Sequence, residues 1–115
     1  MIQRLQAGPR MSQAVIHGNL VYLAGQVADD PSQDVPGQTR QVLDSIDRLL
    51  AEAGSDKTRI LTATIYLADI ATFPQMNLVW DTWVPQGHTP ARATVEAKLA
   101  APAYKVEIQV IAALE

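Results

Sequence analysis

Three features of this 115-residue sequence predict an α+β fold in which two helices cover one face of a sheet. Apolar and polar residues alternate over residues 60–68, as in a strand with one buried face. Apolar residues recur at helical spacing within residues 35–53, which indicates an amphipathic helix. Strand-like runs towards both ends of the chain complete the order β-β-α-β-α-β-β, which differs from the regular alternation of a parallel α/β sheet.

The first two strands are predicted to form a hairpin. Residues 14–16 and 20–24 are largely apolar, and His17-Gly18-Asn19 between them has the composition of a tight turn. Gly25 interrupts the second strand, at a point where the backbone can approach another group closely.

The helix predicted over residues 35–53 has signals at both ends. Pro36 suits its first turn, and Gly54 suits a C-terminal cap. Its apolar stripe consists of Val42, Leu43, Ile46, Leu49, Leu50 and Ala53.

The second half of the chain is predicted as a strand, a helix and a closing β-hairpin. In the strand over residues 60–68, one face carries Leu61, Ala63, Ile65 and Leu67. Thr72-Phe73-Pro74-Gln75 is typical of a capping box that opens the second helix. The apolar stripe of that helix is Phe73, Met76 and Trp80, extending to Trp83. Residues 92–99 and 105–114 form the last two strands, joined across residues 100–103.

Composition and charge argue against several classes of function. Apolar residues make up 48% of the chain and charged residues 18%, which indicates one globular domain over residues 1–115. The net charge of −3 provides no basic field for nucleic acid. No apolar run approaches the roughly 20 residues that cross a bilayer. With no cysteine, and with His17 and His88 far apart, a cytoplasmic protein without a bound metal is expected.

The sheet face away from the helices is predicted to be neither core nor ordinary surface. The face predicted to pack under the helices carries Val21, Leu23, Val27, Leu61, Ala63, Ile65, Ala93, Val95, Ala97, Val106, Ile108 and Val110. The opposite face carries Tyr22, Ala24, Gln26, Thr62, Thr64, Tyr66, Arg92, Thr94, Glu96, Glu107, Gln109 and Ile111. An oligomer interface with a polar cleft suits this neutral, partly aromatic set, and open solvation is the alternative.

Arg92 is the principal candidate for a functional residue. Together with Thr94, Glu107 and Gln109 it is predicted to lie on one face of the closing hairpin. Its guanidinium is a permanent cation that matches a carboxylate, so Arg92 could anchor a small anionic ligand while Glu107 orients or deprotonates water. The alternative is a structural Arg92–Glu107 pair across two strands. Asn77, beside the apolar stripe of the second helix, either completes a buried hydrogen bond or points into a cleft.

These residues, taken in order, resemble the RidA-type reactive intermediate deaminases, or YjgF-like proteins, over essentially the whole chain. The matching landmarks are Ser12-Gln13-Ala14, Val21-Tyr22-Leu23-Ala24-Gly25-Gln26, Asp30-Pro31, Gln38-Thr39-Arg40-Gln41-Val42-Leu43, Phe73 with Asn77, Pro90-Ala91-Arg92 and Val106-Glu107-Ile108. The resemblance implies a chorismate-mutase-like fold, assembled as a homotrimer with clefts between neighbouring subunits.

The resemblance also implies roles for individual residues. Arg92 would grip the carboxylate of a 2-imino or enamine acid, and Glu107 would position the water that hydrolyses it to a 2-keto acid and ammonia. The backbone of Thr94 would help to hold the nitrogen, and Asn77, Ala24, Gly25, Met11 and Arg10 would line the substrate site. No cofactor is implied, since an imine carbon is already electrophilic.

Three departures from the family pattern indicate a divergent subgroup. Met11 replaces an aromatic residue before Ser-Gln, Ala24 replaces a serine before Gly-Gln, and Thr94 replaces a cysteine. Arg10, next to Met11, would add a second cation that favours a larger or doubly anionic ligand. The expected function is hydrolytic deamination of small imino acids; the alternative is a non-catalytic trimer that binds a small carboxylate as a sensor or regulator.

Overall fold

The computed structural model describes all of residues 1–115, with six strands and two helices. The strands are β1 (Gln3–Ala7), β2 (Ser12–His17), β3 (Leu20–Leu23), β4 (Ile60–Leu67), β5 (Ala91–Glu96) and β6 (Val106–Ala113). The helices are α1 (Val35–Ala53) and α2 (Phe73–Trp83). Short 3₁₀ turns, Lys57–Arg59 and Ile70–Thr72, precede β4 and α2. The α+β class with two helices on one sheet face is confirmed.

The six strands form a single mixed sheet in the order β1-β2-β3-β6-β4-β5. Neighbouring strands are antiparallel except for β4 and β5, which pair in parallel. The parallel pair follows from the connection through α2, because a crossover helix returns the chain to the same end of the sheet.

The core lies between the sheet and the helices. Twenty-one buried apolar residues form one cluster, with contributions from α1, α2 and every strand except the edge strands β1 and β5. Two polar side chains of α1, Gln38 and Thr39, are also fully buried. Since Thr39 donates its hydroxyl to the carbonyl of Val35, its burial is compensated within the helix.

The predicted bounds of the helices and strands are confirmed where capping or turn residues define them. Helix α1 spans the predicted residues, with Asp34 capping its N-terminus and Gly54 its C-terminus in a left-handed conformation (φ 86°). The turn between β2 and β3 is also as predicted, with Gly18 at φ 61°. The prediction of a capping box at Thr72 is wrong. The Thr72 side chain makes no cap hydrogen bond and instead donates its hydroxyl to the carbonyl of Asp69.

Strand β1 was not predicted, so the observed order has three strands before α1. Its sequence, Gln3-Arg4-Leu5-Gln6-Ala7, carries only one residue that packs against the core, Leu5. The strand is held by antiparallel pairing to β2 at the edge of the sheet, with Leu5 opposite Ala14. An edge strand with little buried surface has weak apolar periodicity, which explains the omission.

The prediction that β5 and β6 form a closing hairpin is wrong. Strand β5 pairs only with β4, and β6 lies between β3 and β4, so β4 separates the two predicted partners. Both strands are shorter than predicted, at Ala91–Glu96 and Val106–Ala113.

The face assignment for β5 is also wrong by one residue. Arg92 and Thr94 are in register with the buried Ala63 and Ile65, so they lie on the helix face. Ala93 and Val95 therefore lie on the open face, although they were predicted to pack under the helices. The register of Leu61 is lost at an irregularity between Ile60 and Thr62, and its side chain is exposed rather than part of the inner face.

No helix of this protein combines the length and the hydropathy that a membrane crossing requires.

Candidate functional site

The guanidinium of Arg92 is held by three residues of α2. Its Nη1 donates a hydrogen bond of 2.8 Å to Oδ1 of Asn77. The guanidinium carbon lies 5.2 Å from the ring centroid of Trp80 and 5.5 Å from that of Phe73. Both rings are within the range of a cation–π contact, so the charge is oriented by an amide and two aromatic faces.

Helical spacing explains this arrangement. Phe73, Asn77 and Trp80 stand at positions i, i+4 and i+7 of α2, which places them along one side of the helix. That side meets the helix face of β5, where Arg92 projects. Trp80 is buried and Phe73 is partly exposed, so the two rings form a wall that runs from the core to the surface.

Arg92 has no acidic partner in the chain. The two ion pairs of the molecule join Arg48 to Asp29 and Arg59 to Asp56. The hypothesis of a structural Arg92–Glu107 pair is therefore wrong for the single chain. Because Arg92 is also exposed, its remaining donors are available to an external anion.

Glu107 lies on the open face of β6 and packs over Gly25. A methyl group built at Gly25 would come 2.1 Å from Oε2 of Glu107, so the carboxylate occupies the space that a side chain would fill. The two segments are joined next to this contact by backbone hydrogen bonds of 2.8 and 3.1 Å between Gln26 and Ile108. Glu107 is half-buried and forms no hydrogen bond or ion pair within the chain.

Arg92 and Glu107 do not meet within one chain. Glu107 is in register with Tyr66 on the open face, whereas Arg92 is in register with the buried Ala63 on the helix face, and β4 stands between them. Gln109 likewise lies on the open face, opposite Thr64. The prediction that Arg92, Thr94, Glu107 and Gln109 share one face is therefore wrong, because the register of β5 on β4 turns Arg92 and Thr94 to the helix face.

Thr94 accompanies Arg92 on the helix face of β5. Its hydroxyl oxygen is buried and is the one buried side-chain polar atom without a hydrogen-bond partner. Such an atom is costly to leave unpaired, so Thr94 is a polar position that its surroundings do not satisfy.

The other predicted site residues lie at the end of the sheet that contains Gly25. Arg10 and Met11 belong to the exposed turn between β1 and β2, in which the carbonyl of Met11 accepts a 2.8 Å hydrogen bond from Gly8. Ala24 donates its N–H to the carbonyl of Gln13 at 2.9 Å, which extends the β2–β3 pairing towards Gly25. The structure thus places Ala24, Gly25 and Glu107 together, with the turn that carries Met11 at the same end of the sheet, and Arg92, Asn77 and Thr94 at another place.

Comparison with known proteins agrees with this fold. A sequence model of the family described as "Endoribonuclease L-PSP" matches residues 1–114. A "RutC family protein" from Haemophilus influenzae is 52% identical over 112 residues, which cover 96% of this chain and 97% of that protein. The chain belongs to the YjgF/RidA family.

Solved structures of this family share the fold over the whole chain. The crystal structure of a member of the YjgF protein family from Neisseria meningitidis superimposes with a TM-score of 0.97 at 46% identity, covering 100% of this chain and 96% of that one.

A rat protein named "2-iminobutanoate/2-iminopropanoate deaminase" is 36% identical over 107 residues, which are 88% of this chain and 77% of the rat protein.

The sequence did not predict that Phe73 and Trp80 lie against Arg92. Both residues were assigned to the apolar stripe of α2, and their rings also contact the guanidinium. The spacing of Phe73, Asn77 and Trp80 contained the signal, because an amide between two aromatic residues on one helix face is suited to holding an arginine.

Proposed function

We propose that this YjgF/RidA protein hydrolyses small 2-imino and enamine acids to 2-keto acids and ammonia, without a cofactor. The observation that carries the proposal is the exposed Arg92, which is held by Asn77 and two aromatic rings and has no acidic partner. A preoriented guanidinium of this kind suits a carboxylate, which it can bind through two parallel hydrogen bonds.

The substrate would be held by its carboxylate and attacked by water at the imine carbon. Glu107 takes a proton from the water as its oxygen bonds to that carbon, and the electron pair of the C=N bond moves to nitrogen. Glu107 returns this proton to nitrogen, which gives a carbinolamine. Transfer of the hydroxyl proton to nitrogen then allows the C–N bond to break as the C=O bond forms, which releases ammonia and leaves the keto acid. An enamine enters the same sequence after tautomerising to the imine.

Because Arg92 and Glu107 lie on opposite faces of the sheet, the proposed site needs two copies of the chain. One copy would supply Arg92 and the backbone of Thr94, and a neighbour would supply Glu107 over Gly25, with Met11 and Arg10 at the rim. The open face carries the exposed Tyr22 and Val95, which supports contact between copies. A closed trimer has three such sites.

Two further facts support the proposed reaction. The rat relative that bears an imine deaminase name is 36% identical over most of this chain. The half-buried Glu107 accepts no hydrogen bond from the chain, so its oxygens are free to hold a water. The second candidate, a trimer that binds a small carboxylate without turning it over, requires Arg92 alone.

Keto-acid release from 2-iminopropanoate, generated in situ by an amino-acid oxidase, tests both candidates. We expect the wild type to accelerate release, Arg92→Ala to abolish the acceleration, and Glu107→Gln to reduce it by about 100-fold or more, the range of general acid–base catalysis. Arg40→Ala is a matched control, since Arg40 is an exposed arginine of α1 whose side chain forms no hydrogen bond or ion pair within the chain.

The outcomes separate the two candidates. No acceleration by the wild type, together with Arg92-dependent protection against heat by pyruvate or 2-oxobutanoate, would favour the carboxylate binder. Neither acceleration nor protection would refute both.

A further inference from the structure

The side-chain amide of Gln38 connects three separate segments of the chain. Gln38 lies in the second turn of α1 and is fully buried. Its Oε1 accepts the backbone N–H of Lys105 at 2.9 Å. Its Nε2 lies 3.0 Å from each of three carbonyl oxygens, those of Pro31, Gln33 and Ala103. Every polar atom of this buried amide is therefore occupied by backbone groups.

The hydrogen bonds of Gln38 join the segment that precedes Glu107 to the loop that follows Gly25. Lys105 stands two residues before Glu107, at the start of β6. Pro31 and Gln33 belong to the loop that continues from Gly25 and Gln26 into α1. One side chain thus ties the segment that carries the carboxylate to the segment that makes room for it.

The start of β6 follows a β-turn, in which Tyr104 donates its backbone N–H to the carbonyl of Ala101 at 3.2 Å. This turn does not join two paired strands, so it does not by itself fix the position of β6 in the sheet. The chain between β5 and β6 is irregular over residues 97–105, and β6 is not paired with β5. Apart from its bond to Gln38, Lys105 is held through its carbonyl, which accepts a 3.1 Å hydrogen bond from Ala68. Removing the amide would leave three carbonyls and one N–H without this partner.

We propose that Gln38 is a positioning residue for Glu107: it sets where β6 begins and so holds the carboxylate over Gly25. The inference rests on the proposed function for its activity readout, and on the geometry alone for its structural one. Gln38 touches neither the reacting atoms nor Arg92, so it acts through the backbone of residues 105–107.

Gln38→Met and Gln38→Glu test this inference, with Ser55→Ala as the matched control. Ser55 is also buried and ties the end of α1 to the opposite end of β6, through a 2.7 Å hydrogen bond to the carbonyl of Ala113. Met keeps the volume of Gln without its amide. Glu retains an acceptor for Lys105 but turns a carboxylate towards three carbonyls, and it remains available if Gln38→Met does not fold.

Two readouts distinguish positioning from general stability. The first is amide hydrogen exchange at Gln26 and Ile108, whose backbone groups bond to each other and not to Gln38. We expect this exchange to become about tenfold faster in the Gln38 variants, but not in Ser55→Ala, because the two segments that these amides join then open locally more often. The second is turnover of 2-iminopropanoate, for which we expect kcat to fall about tenfold or more with KM nearly unchanged. In a protein that already carries Glu107→Gln, a Gln38 substitution should lower kcat little further. In a protein that carries Arg92→Lys, the same Gln38 substitution should lower kcat by as much as it does in the wild type.

The two readouts also keep this inference separate from the proposed function. Faster exchange at Gln26 and Ile108 in a protein without deaminase activity would support the positioning of the Glu107 segment and refute the reaction. Unchanged exchange at these amides, or equal effects of Gln38 and Ser55 substitutions on kcat, would overturn the positioning role whatever the activity.

Discussion

At the scale of single residues, the main finding is how an exposed arginine is kept in place without an acid. Oδ1 of Asn77 and the rings of Phe73 and Trp80 orient the guanidinium of Arg92 and leave its charge uncompensated. A carboxylate partner would have neutralised the charge that a ligand requires. The amide and the aromatic faces restrict the side chain, which lowers the entropy lost when an anion binds.

Replacing Asn77 should therefore weaken ligand binding rather than the fold. We expect Asn77→Leu to lower pyruvate affinity, and to raise KM for the imine, by about tenfold or more, the value of one hydrogen bond to a charged group. Isothermal titration and steady-state kinetics measure these effects. Thr82→Ala is the control, because its hydroxyl bonds only to Val79 in the same helix. Unchanged affinity in Asn77→Leu would show that Asn77 does not orient Arg92 for binding.

Substitution of Gly25 should displace Glu107. In Gly25→Ala the new methyl group would meet Oε2 at 2.1 Å, so the carboxylate must move and kcat should fall by about tenfold or more. Gly8→Ala is the matched control, since its methyl group would stand 3.5 Å from its nearest neighbour, the carbonyl oxygen of Met11, which is an ordinary contact distance. Steady-state kinetics on both variants check this. A Gly25→Ala enzyme with the kcat of Gly8→Ala would separate Glu107 from catalysis.

At the scale of secondary-structure elements, local signals and long-range pairing differ in how far the sequence predicts them. The bounds of α1 are predicted because Pro36, Gly54 and the apolar stripe lie within the helix or beside it. The partner of β5 is not predicted, because an alternating strand can pair on either side and in either direction. Because β5 is also short and mostly exposed, its sequence pattern does not indicate which of its faces points towards the core.

The N-terminal cap of α1 is expected to raise the free energy of unfolding by an amount typical of helix caps. Asp34 accepts a 2.9 Å hydrogen bond from the N–H of Gly37, so Asp34→Ala should lower the free energy of unfolding by about 1 kcal/mol. Urea denaturation followed by circular dichroism measures the loss. Asp44→Ala, on the exposed face of the same helix, should have little effect; an equal effect of both would contradict the capping role.

The loop before α1 should show a pH-dependent contribution from Asp30. Hydrogen bonds from the side chain and backbone of Ser32, with a further one from Gln33, hold the pKa of the Asp30 carboxyl below its usual value. Since the pKa is lowered in the folded state, its contribution to stability is present above the unfolded pKa and is lost as pH falls through the folded pKa. Ser32→Ala should raise this pKa.

An NMR titration of the aspartate carboxyl groups checks the change at Asp30. Asp56 supplies a reciprocal control, because the side chain and backbone of Thr58 lower its pKa in the same way. Thr58→Ala should move the titration of Asp56 and leave Asp30 unchanged. A Ser32→Ala protein in which Asp30 titrates as in the wild type would refute the assignment.

At the scale of the whole molecule, the separation of Arg92 from Glu107 makes assembly part of the proposed mechanism. Each chain carries one half of the site on the helix face of β5 and the other half on the open face near Gly25. We therefore expect a trimer by light scattering, and activity that is lost when the trimer is separated into subunits.

Mixed assemblies test this arrangement directly. Arg92→Ala and Glu107→Gln chains are each expected to be inactive, but a trimer containing both has one site with an intact Arg92 and an intact Glu107 from different chains. Random 1:1 reassembly should thus restore about one quarter of wild-type activity in a cyclic trimer. The controls are each variant unfolded and reassembled alone. No recovery in verified mixed trimers would show that the two residues do not act across subunits.

The sequence by itself determined the fold class, the bounds of α1, the family and the identity of Arg92 and Glu107 as the residues to test. These follow from periodicity, caps and motifs, which act over a few residues or survive as an ordered series of landmarks. Only the tertiary structure decided that β4 separates β5 from β6, that Arg92 faces α2, and that Glu107 fills the space above Gly25. Strand order and facing depend on contacts between distant segments, and a shift of one residue reverses every side chain of a strand, so local pattern alone cannot choose between them.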